Sequence, residues 1–172
     1  GKMLGIVGFG SIGRRVKALA EAFGMQTLIA ALPGRRYLPK ENKRRVPFER
    51  LVKEADYLTL HVPLCAETRD LIDRKVIEQM KPSAYLVNMA RGGIVNESDL
   101  AWALKKKCIA GAALDVLSQE PPPANHPLLR APGLLLTPHI SWASLEARRK
   151  VVTEVALNIQ AFLKGGRRNR VV

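Results

Sequence analysis

Cysteine is scarce: Cys65 and Cys108 are the only two in 172 residues, far apart and without a Cys-x-x-Cys spacing. That excludes a disulfide framework and a cysteine-built zinc site, and it fits a reducing compartment. No metal site is expected. Aromatic residues make up only 5%, too few to build the stacking platforms that bind single strands of nucleic acid. No apolar run approaches the roughly 18 residues of a membrane span, so no membrane partner is expected. No charged-then-apolar leader with a small-residue cleavage site opens the chain, which points to the cytoplasm.

Acidic residues are the other shortage. Fifteen Asp and Glu face 28 Lys and Arg, a net charge of +13, and the sequence pI is near 10.3. Such a balance raises nucleic acid as a partner. The cations, however, fall into four separate clusters at 35–50, 105–107, 148–150 and 167–170. Each lies where a loop, helix end or tail is expected, so the charge reads as solvated surface and no specific nucleic-acid partner is expected. The 47% hydrophobic content is that of an ordinary globular chain, and the length suits about one domain.

Hydrophobic patterning alternates between two periods. Short apolar runs at 3–7, 26–31, 57–60, 84–88, 109–116 and 134–136 read as buried strands. Between them, 14–23, 48–55, 73–80, 97–107 and 144–164 carry helical spacing; in the first, Val16, Leu19, Ala20 and Phe23 share one face and Gly24 stops the helix. Leu32-Pro33-Gly34 breaks the second run, and a basic loop is expected from there to Pro47. Pro121-Pro122-Pro123 imposes an extended stretch. Six strands alternating with helices predict an α/β fold: a doubly wound, Rossmann-like parallel sheet with helices on both faces.

Gly8-Phe9-Gly10-Ser11-Ile12-Gly13 is a G-x-G-x-x-G sequence that follows a strand and opens a helix, the context dinucleotide binding requires. Gly8 allows the tight turn, Gly10 lets the backbone approach a pyrophosphate, and Gly13 lets helix and strand pack closely. The amides of Ser11 and Ile12 and the helix dipole would face the phosphates. An acidic residue near the end of the second strand would hold an NAD ribose hydroxyl. Ala30, Ala31 and Leu32 cannot accept that bond, and Arg35 and Arg36 follow. A 2′-phosphate would meet positive charge there, so the pattern favours NADP over NAD.

Several segments together resemble the D-isomer-specific 2-hydroxyacid dehydrogenase family. They are 5–13, His61-Val62-Pro63-Leu64 with Glu67-Thr68-Arg69, Met80-Lys81-Pro82, Asn88-Met89-Ala90-Arg91-Gly92-Gly93, 111–116 with Glu120-Pro121, and Thr137-Pro138-His139. Ser141-Trp142-Ala143-Ser144 is similar to the glycerate dehydrogenase and hydroxypyruvate or glyoxylate reductase branch.

The resemblance implies hydride transfer between a nicotinamide dinucleotide and a small 2-oxoacid or D-2-hydroxyacid, with three catalytic residues. Arg91 matches the arginine that grips the substrate carboxylate through two parallel bonds. His139 matches the acid/base that exchanges a proton as a keto oxygen becomes a hydroxyl. Glu120 matches the carboxylate that bonds the other nitrogen of that histidine. All three follow predicted strand C-termini, where open parallel sheets place ligands. The same transfer gives cofactor contacts to His61, Val62, Pro63, Thr68, Asn88, Ala90 and Asp115, and to His139. His61 would line the adenosine side through its backbone, Thr68 would approach the phosphate or ribose, and Asp115 would lie near the nicotinamide amide. His126 is expected to be structural.

Relatives in the family continue on both sides of this stretch into a second domain that closes over the substrate. The resemblance therefore implies a dinucleotide-binding domain over 1–165 and a tail at 166–172 leading to a substrate domain outside the chain. Without closure, cofactor binding should survive and turnover should be weak or lost. A homodimer is the family expectation, and the last helix is expected to expose apolar surface. The alternative to an enzyme domain is a non-catalytic dinucleotide-binding dimerisation module.

Overall fold

The computed structural model describes residues 1–37 and 45–171. Part of the basic loop expected after Gly34, and Val172 of the tail, lie outside the described residues. The chain divides into two compact units, Gly1–Pro138 and His139–Val172.

The first unit is a parallel sheet of seven strands among the described residues: β1 Met3–Val7, β2 Gln26–Ala31, β3 Val46–Pro47, β4 Tyr57–Leu60, β5 Tyr85–Asn88, β6 Gly111–Leu114 and β7 Leu134–Leu136. Their spatial order is β3-β2-β1-β4-β5-β6-β7. Between them run α1 Ser11–Ala22, α2 Phe48–Glu54, α3 Arg74–Ile77 and α4 Glu97–Lys106, with a 3₁₀ turn at Pro127–Arg130. The doubly wound parallel fold expected from the alternating pattern is present.

Register explains why the strands read as continuous apolar runs. Gly5 pairs with Leu28 and Leu58, and Leu58 with Leu86. These positions face α2, since a Cβ on Gly5 would meet Leu51 and Ala55. On this face Leu51, Leu58, Leu60, Ile77, Leu86 and Leu100 form one buried core. The alternate positions Leu4 and Ile6 pack with Ala20 of α1 on the other face. Burial on both faces is what a parallel sheet demands. Farther along that second face Tyr57 and Tyr85 stack with ring centroids 5.6 Å apart and remain partly exposed.

Four local expectations shift. Val46–Pro47 pairs with Ala30 and Ala31 as an edge strand, where a loop was expected. Two residues are too short for an apolar period, and proline is tolerated at an edge. The helix at 73–80 contracts to Arg74–Ile77, because Asp73 caps it by accepting from Val76 N–H at 2.9 Å and the backbone then tightens into turns before Pro82. The strand at 109–116 contracts to β6. The first helix begins earlier, at Ser11, inside the glycine loop.

The second unit holds α5, Leu145–Leu163, capped by the Ser144 hydroxyl on Ala147 N–H at 3.1 Å. None of its residues is buried. Val151, Val152, Val155, Ile159 and Phe162 are all exposed, the apolar surface expected from the sequence. No helix among the described residues is long and apolar enough to cross a membrane.

Asp56 fastens the opposite edge of the sheet. Its carboxylate accepts Met3 N–H at 2.8 Å and the Lys81 ammonium at 2.9 Å, while its backbone bonds Met3 O and Tyr85 N–H. The Met3 amide first, and Lys81 second, hold the Asp56 carboxyl below the ordinary aspartate range. A depressed acid stabilises the fold above its unfolded value, roughly pH 4, and that stabilisation is lost as pH falls through the native value. In urea titrations between pH 6 and pH 3, wild type should lose more stability than Asp56→Asn, which starts lower. Equal slopes would contradict this.

Candidate dinucleotide and substrate site

The strand order reverses between β1 and β4, and the loops leaving these two strands flank the crevice where open α/β sheets bind ligands. The loops are held backbone against backbone. His61 N–H donates to Val7 O at 2.6 Å. Gly8 takes a φ of +97°, and a Cβ there would lie 2.4 Å from His61 O. At Gly13 it would lie 2.2 Å from Gly8 O. Gly10 is different: a Cβ there would meet nothing within 4 Å. The space above Gly10 is open.

That space lies at the N-terminus of α1. No side chain caps this terminus, and its first turn holds no acidic residue. Ser11 is exposed and Ile12 is 66% exposed. Uncommitted helix-start amides, together with the dipole, suit an anion. Arg14 adds a cation in the same turn, its guanidinium 5.0 Å from the Phe9 ring centroid.

At the exit of β2 the polar backbone is satisfied by side chains from farther on. Leu32 N–H donates to the Tyr37 hydroxyl at 3.0 Å, and the Arg45 guanidinium donates to Ala30 O at 2.9 Å. Two arginines lie over the Tyr37 ring, Arg45 at 4.1 Å and Arg35 at 5.5 Å from its centroid. Arg45 Nε is buried without a hydrogen-bond partner among the described residues. Arg35 and Arg36 are exposed. Tyr37 and Arg45 were not singled out from the sequence. Arg45 stood undistinguished in a basic run, and only the return of the chain to pair β3 with β2 brings it here.

After β4, the His61 ring shares a 3.1 Å hydrogen bond with the Thr59 hydroxyl. Burial pushes its pKa down, so it stays neutral near pH 7. Val62 is buried and packs toward Gly8, and Pro63 is exposed. The Thr68 hydroxyl donates to Pro63 O at 2.6 Å and accepts Cys65 N–H at 2.9 Å. Thr68 thus shapes the loop that His61, Val62 and Pro63 begin.

The loops leaving β5 and β6 meet one another. Buried Asn88 accepts Ala90 N–H at 3.0 Å and donates to Arg91 O at 2.9 Å, which folds the chain back so that Arg91 projects from the turn, exposed. Its guanidinium donates one N–H to Ala90 O at 2.7 Å, and its remaining N–H groups can reach a carboxylate from solvent. A Cβ on Gly92 would fall 2.0 Å from the Leu117 carbonyl carbon. Glu120 accepts Leu117 N–H at 3.0 Å. Asp115 is buried and accepts the Thr137 hydroxyl at 2.5 Å.

The first unit therefore carries the glycine loop, the 61–68 loop, Asn88 at the end of β5, and Ala90, Arg91, Asp115 and Glu120 on the loops that follow strands. His139 opens the second unit, with a φ of +53° and its carbonyl accepting the Trp142 indole N–H at 2.9 Å. His126 bonds Glu97 at 2.9 Å and accepts Leu128 N–H at 3.3 Å. Both ring nitrogens are engaged in holding the chain, the structural role expected of it.

The contrast between Gly10 and Gly13 is testable by urea titration and cofactor fluorescence. Gly10→Ala, in open space with ordinary φ, should change stability by no more than about 0.5 kcal/mol while weakening dinucleotide binding at least tenfold. Gly13→Ala should lower both stability and binding, since its Cβ meets backbone.

The family described as D-isomer specific 2-hydroxyacid dehydrogenase, NAD binding domain, matches residues 1–141. The chain is 39% identical over 173 residues to glycerate dehydrogenase from Methylorubrum extorquens, covering 99% of this chain and 53% of that protein. It is 43% identical over 166 residues to glyoxylate reductase from Korarchaeum cryptofilum, covering 96% and 50%. Among solved structures, the NAD-complexed D-isomer specific 2-hydroxyacid dehydrogenase from Lactobacillus delbrueckii ssp. bulgaricus matches with a TM-score of 0.85 at 30% identity, over 99% of this chain and 55% of that one. An acyclic imino acid reductase in complex with NADPH and D-Arg matches with a TM-score of 0.86 at 32% identity, over 99% and 54%. The chain spans about half the length of the curated relatives it matches. With the reversed strand order, the three-glycine loop and the Arg91 turn on the same fold, the chain belongs to the D-isomer specific 2-hydroxyacid dehydrogenase family, matched through its NAD-binding domain.

Proposed function

We propose that residues 1–165 act as the dinucleotide-holding domain of a D-2-hydroxyacid dehydrogenase. Its substrates would be small 2-oxoacids and D-2-hydroxyacids of the hydroxypyruvate/glycerate or glyoxylate/glycolate type. The observation that carries the reading is the uncapped N-terminus of α1 beneath the open space at Gly10. The amides of Ser11, Ile12 and Gly13 would hold a pyrophosphate, with no acidic side chain in that turn to repel it. The β2 exit would take the adenosine ribose, and the loops after β5 and β6 the nicotinamide end, near Asn88, Ala90 and Asp115.

Bound, the reduced nicotinamide supplies a hydride to a carbonyl carbon. The residues of this chain do the rest. Arg91 binds the carboxylate of the 2-oxoacid in two parallel bonds and orients its carbonyl. His139 gives a proton to the carbonyl oxygen, and takes it back in the oxidative direction. Glu120 serves as the carboxylate of the acid/base system. Branch similarity and the Ser141-Trp142-Ala143-Ser144 segment support the short-chain substrates.

NADP is the favoured cofactor. The β2 exit has no carboxylate at Ala30, Ala31 or Leu32, and three guanidinium groups, on Arg35, Arg36 and Arg45, lie in or beside the turn that follows. A 2′-phosphate gains from that charge and an acceptor-seeking ribose hydroxyl does not. The exposed apolar stripe of α5 supports a homodimer, and the cytoplasm is the compartment proposed.

Titration of the chain with NADPH and with NADH at one salt concentration tests the cofactor assignment. NADPH should bind at least tenfold more tightly, and Arg35→Ala should remove most of that difference while leaving NADH affinity within about twofold. Equal affinities in wild type would overturn the NADP assignment. Failure of both cofactors to bind would overturn the domain assignment.

A further inference from the structure

We infer that Glu97 is a positioning residue for the substrate end of the site, tying the loop that carries Glu120 to the start of α4 and against the turn that carries Arg91. The inference rests on the roles proposed above for Arg91 and Glu120. An acid in the first turn of a helix ordinarily points into water and favours the dipole. Glu97 does something else. Its side chain is only 11% exposed, and its carboxylate accepts three hydrogen bonds, all from outside its own helix. Ser118 N–H donates at 2.6 Å, the Ser118 hydroxyl at 2.8 Å and His126 Nε2 at 2.9 Å. A carboxylate taken out of water requires such a set of donors.

The His126 ring is fixed in turn. Leu128 N–H donates to its Nδ1 at 3.3 Å, so the hydrogen sits on Nε2 and is directed at Glu97. Ser118 is the point held. On one side it bonds Glu97. On the other, a Cβ on Gly92 would fall 2.3 Å from Ser118 N, so the Arg91–Gly92 turn lies directly against it. One residue earlier, Leu117 N–H is bonded to the Glu120 carboxylate. Glu97 and Gly92 thus both bear directly on residues 117–118, and Arg91 and Glu120 are the side chains carried beside that contact. Without the carboxylate, one part of the contact is lost and the separation of the two becomes variable.

Glu97→Gln keeps the size of the side chain but turns hydrogens toward donors. By amide hydrogen exchange on the intact chain, Leu117, Ser118 and Gly92 should exchange about tenfold faster, the effect of losing a charge-assisted bond. Amides of β1 and β4 should be unchanged, and NADPH affinity should stay within about twofold. Ser118→Ala, which keeps the backbone bond, should give a smaller local effect of about threefold and guards against a misfolded first variant. In the residual single-turnover reduction of glyoxylate expected of this domain with bound NADPH, Glu97→Gln should slow the rate about tenfold further without moving cofactor affinity. Unchanged exchange at 117–118, or a uniform rise across all amides, would overturn the inference. A local rise in exchange with wild-type turnover would leave the contact in place and overturn instead the roles given to Arg91 and Glu120.

Discussion

At Gly8, Gly13 and Gly92 one stretch of backbone lies directly against another, and a Cβ would fall within 2.4, 2.2 and 2.0 Å of it. These approaches set the shape of the whole ligand-binding edge. The first locks the β1 exit to the β4 exit, the second seats α1 against the turn below it, and the third joins the loops leaving β5 and β6. The hydrophobic core gives the strands their order, but it leaves loop positions open. Backbone packing without intervening side chains fixes these loops in pairs, and fixed loop positions are what orientation of two reactants requires. Gly10 is the exception: a Cβ there would face open space, the room that the proposed pyrophosphate would need.

Around these loops, side chains act mostly on the backbone rather than on a ligand. Asn88 folds the Arg91 turn, Thr68 folds the loop after β4, and Asp73 and Asn96 cap helices. Exposed side chains on these loops include the cations Arg14, Arg35, Arg36 and Arg91, the Ser11 hydroxyl and the Glu67 carboxylate. On the proposed reading the net charge of +13 is of one piece with the site, since Arg14, Arg35, Arg36 and Arg91 would meet anionic parts of a dinucleotide or an oxoacid. A field of one sign also speeds the arrival of charged ligands.

Much of this was legible in the sequence because it depends on near neighbours. The apolar runs of β1, β4 and β5 and the glycine loop are each written within a dozen residues, and the family segments sit at strand ends in their expected order. What escaped depends on residues brought together from far along the chain. Arg45 reaches the β2 exit from 15 positions beyond Ala30, and β3 exists only as a partner for β2. Glu97 meets Ser118 and His126 from 21 and 29 positions away, and no local pattern announces such a meeting. Helix α3 is short because the Asp73 cap and the turns before Pro82 leave room for one turn, a boundary effect that periodicity does not see.

Everything proposed for the site depends on the start of α1 receiving a pyrophosphate. A nitrogen–proton correlation titration of the chain with NADPH, followed residue by residue, tests that claim directly. The largest shifts should fall on Gly10, Ser11, Ile12 and Gly13, with smaller ones at Arg35 and His61, and inorganic pyrophosphate alone should move the first group. Shifts spread over the lysines and arginines of α4 and α5, with the glycine loop unmoved, would mean that the cofactor is held by surface charge and would contradict the account.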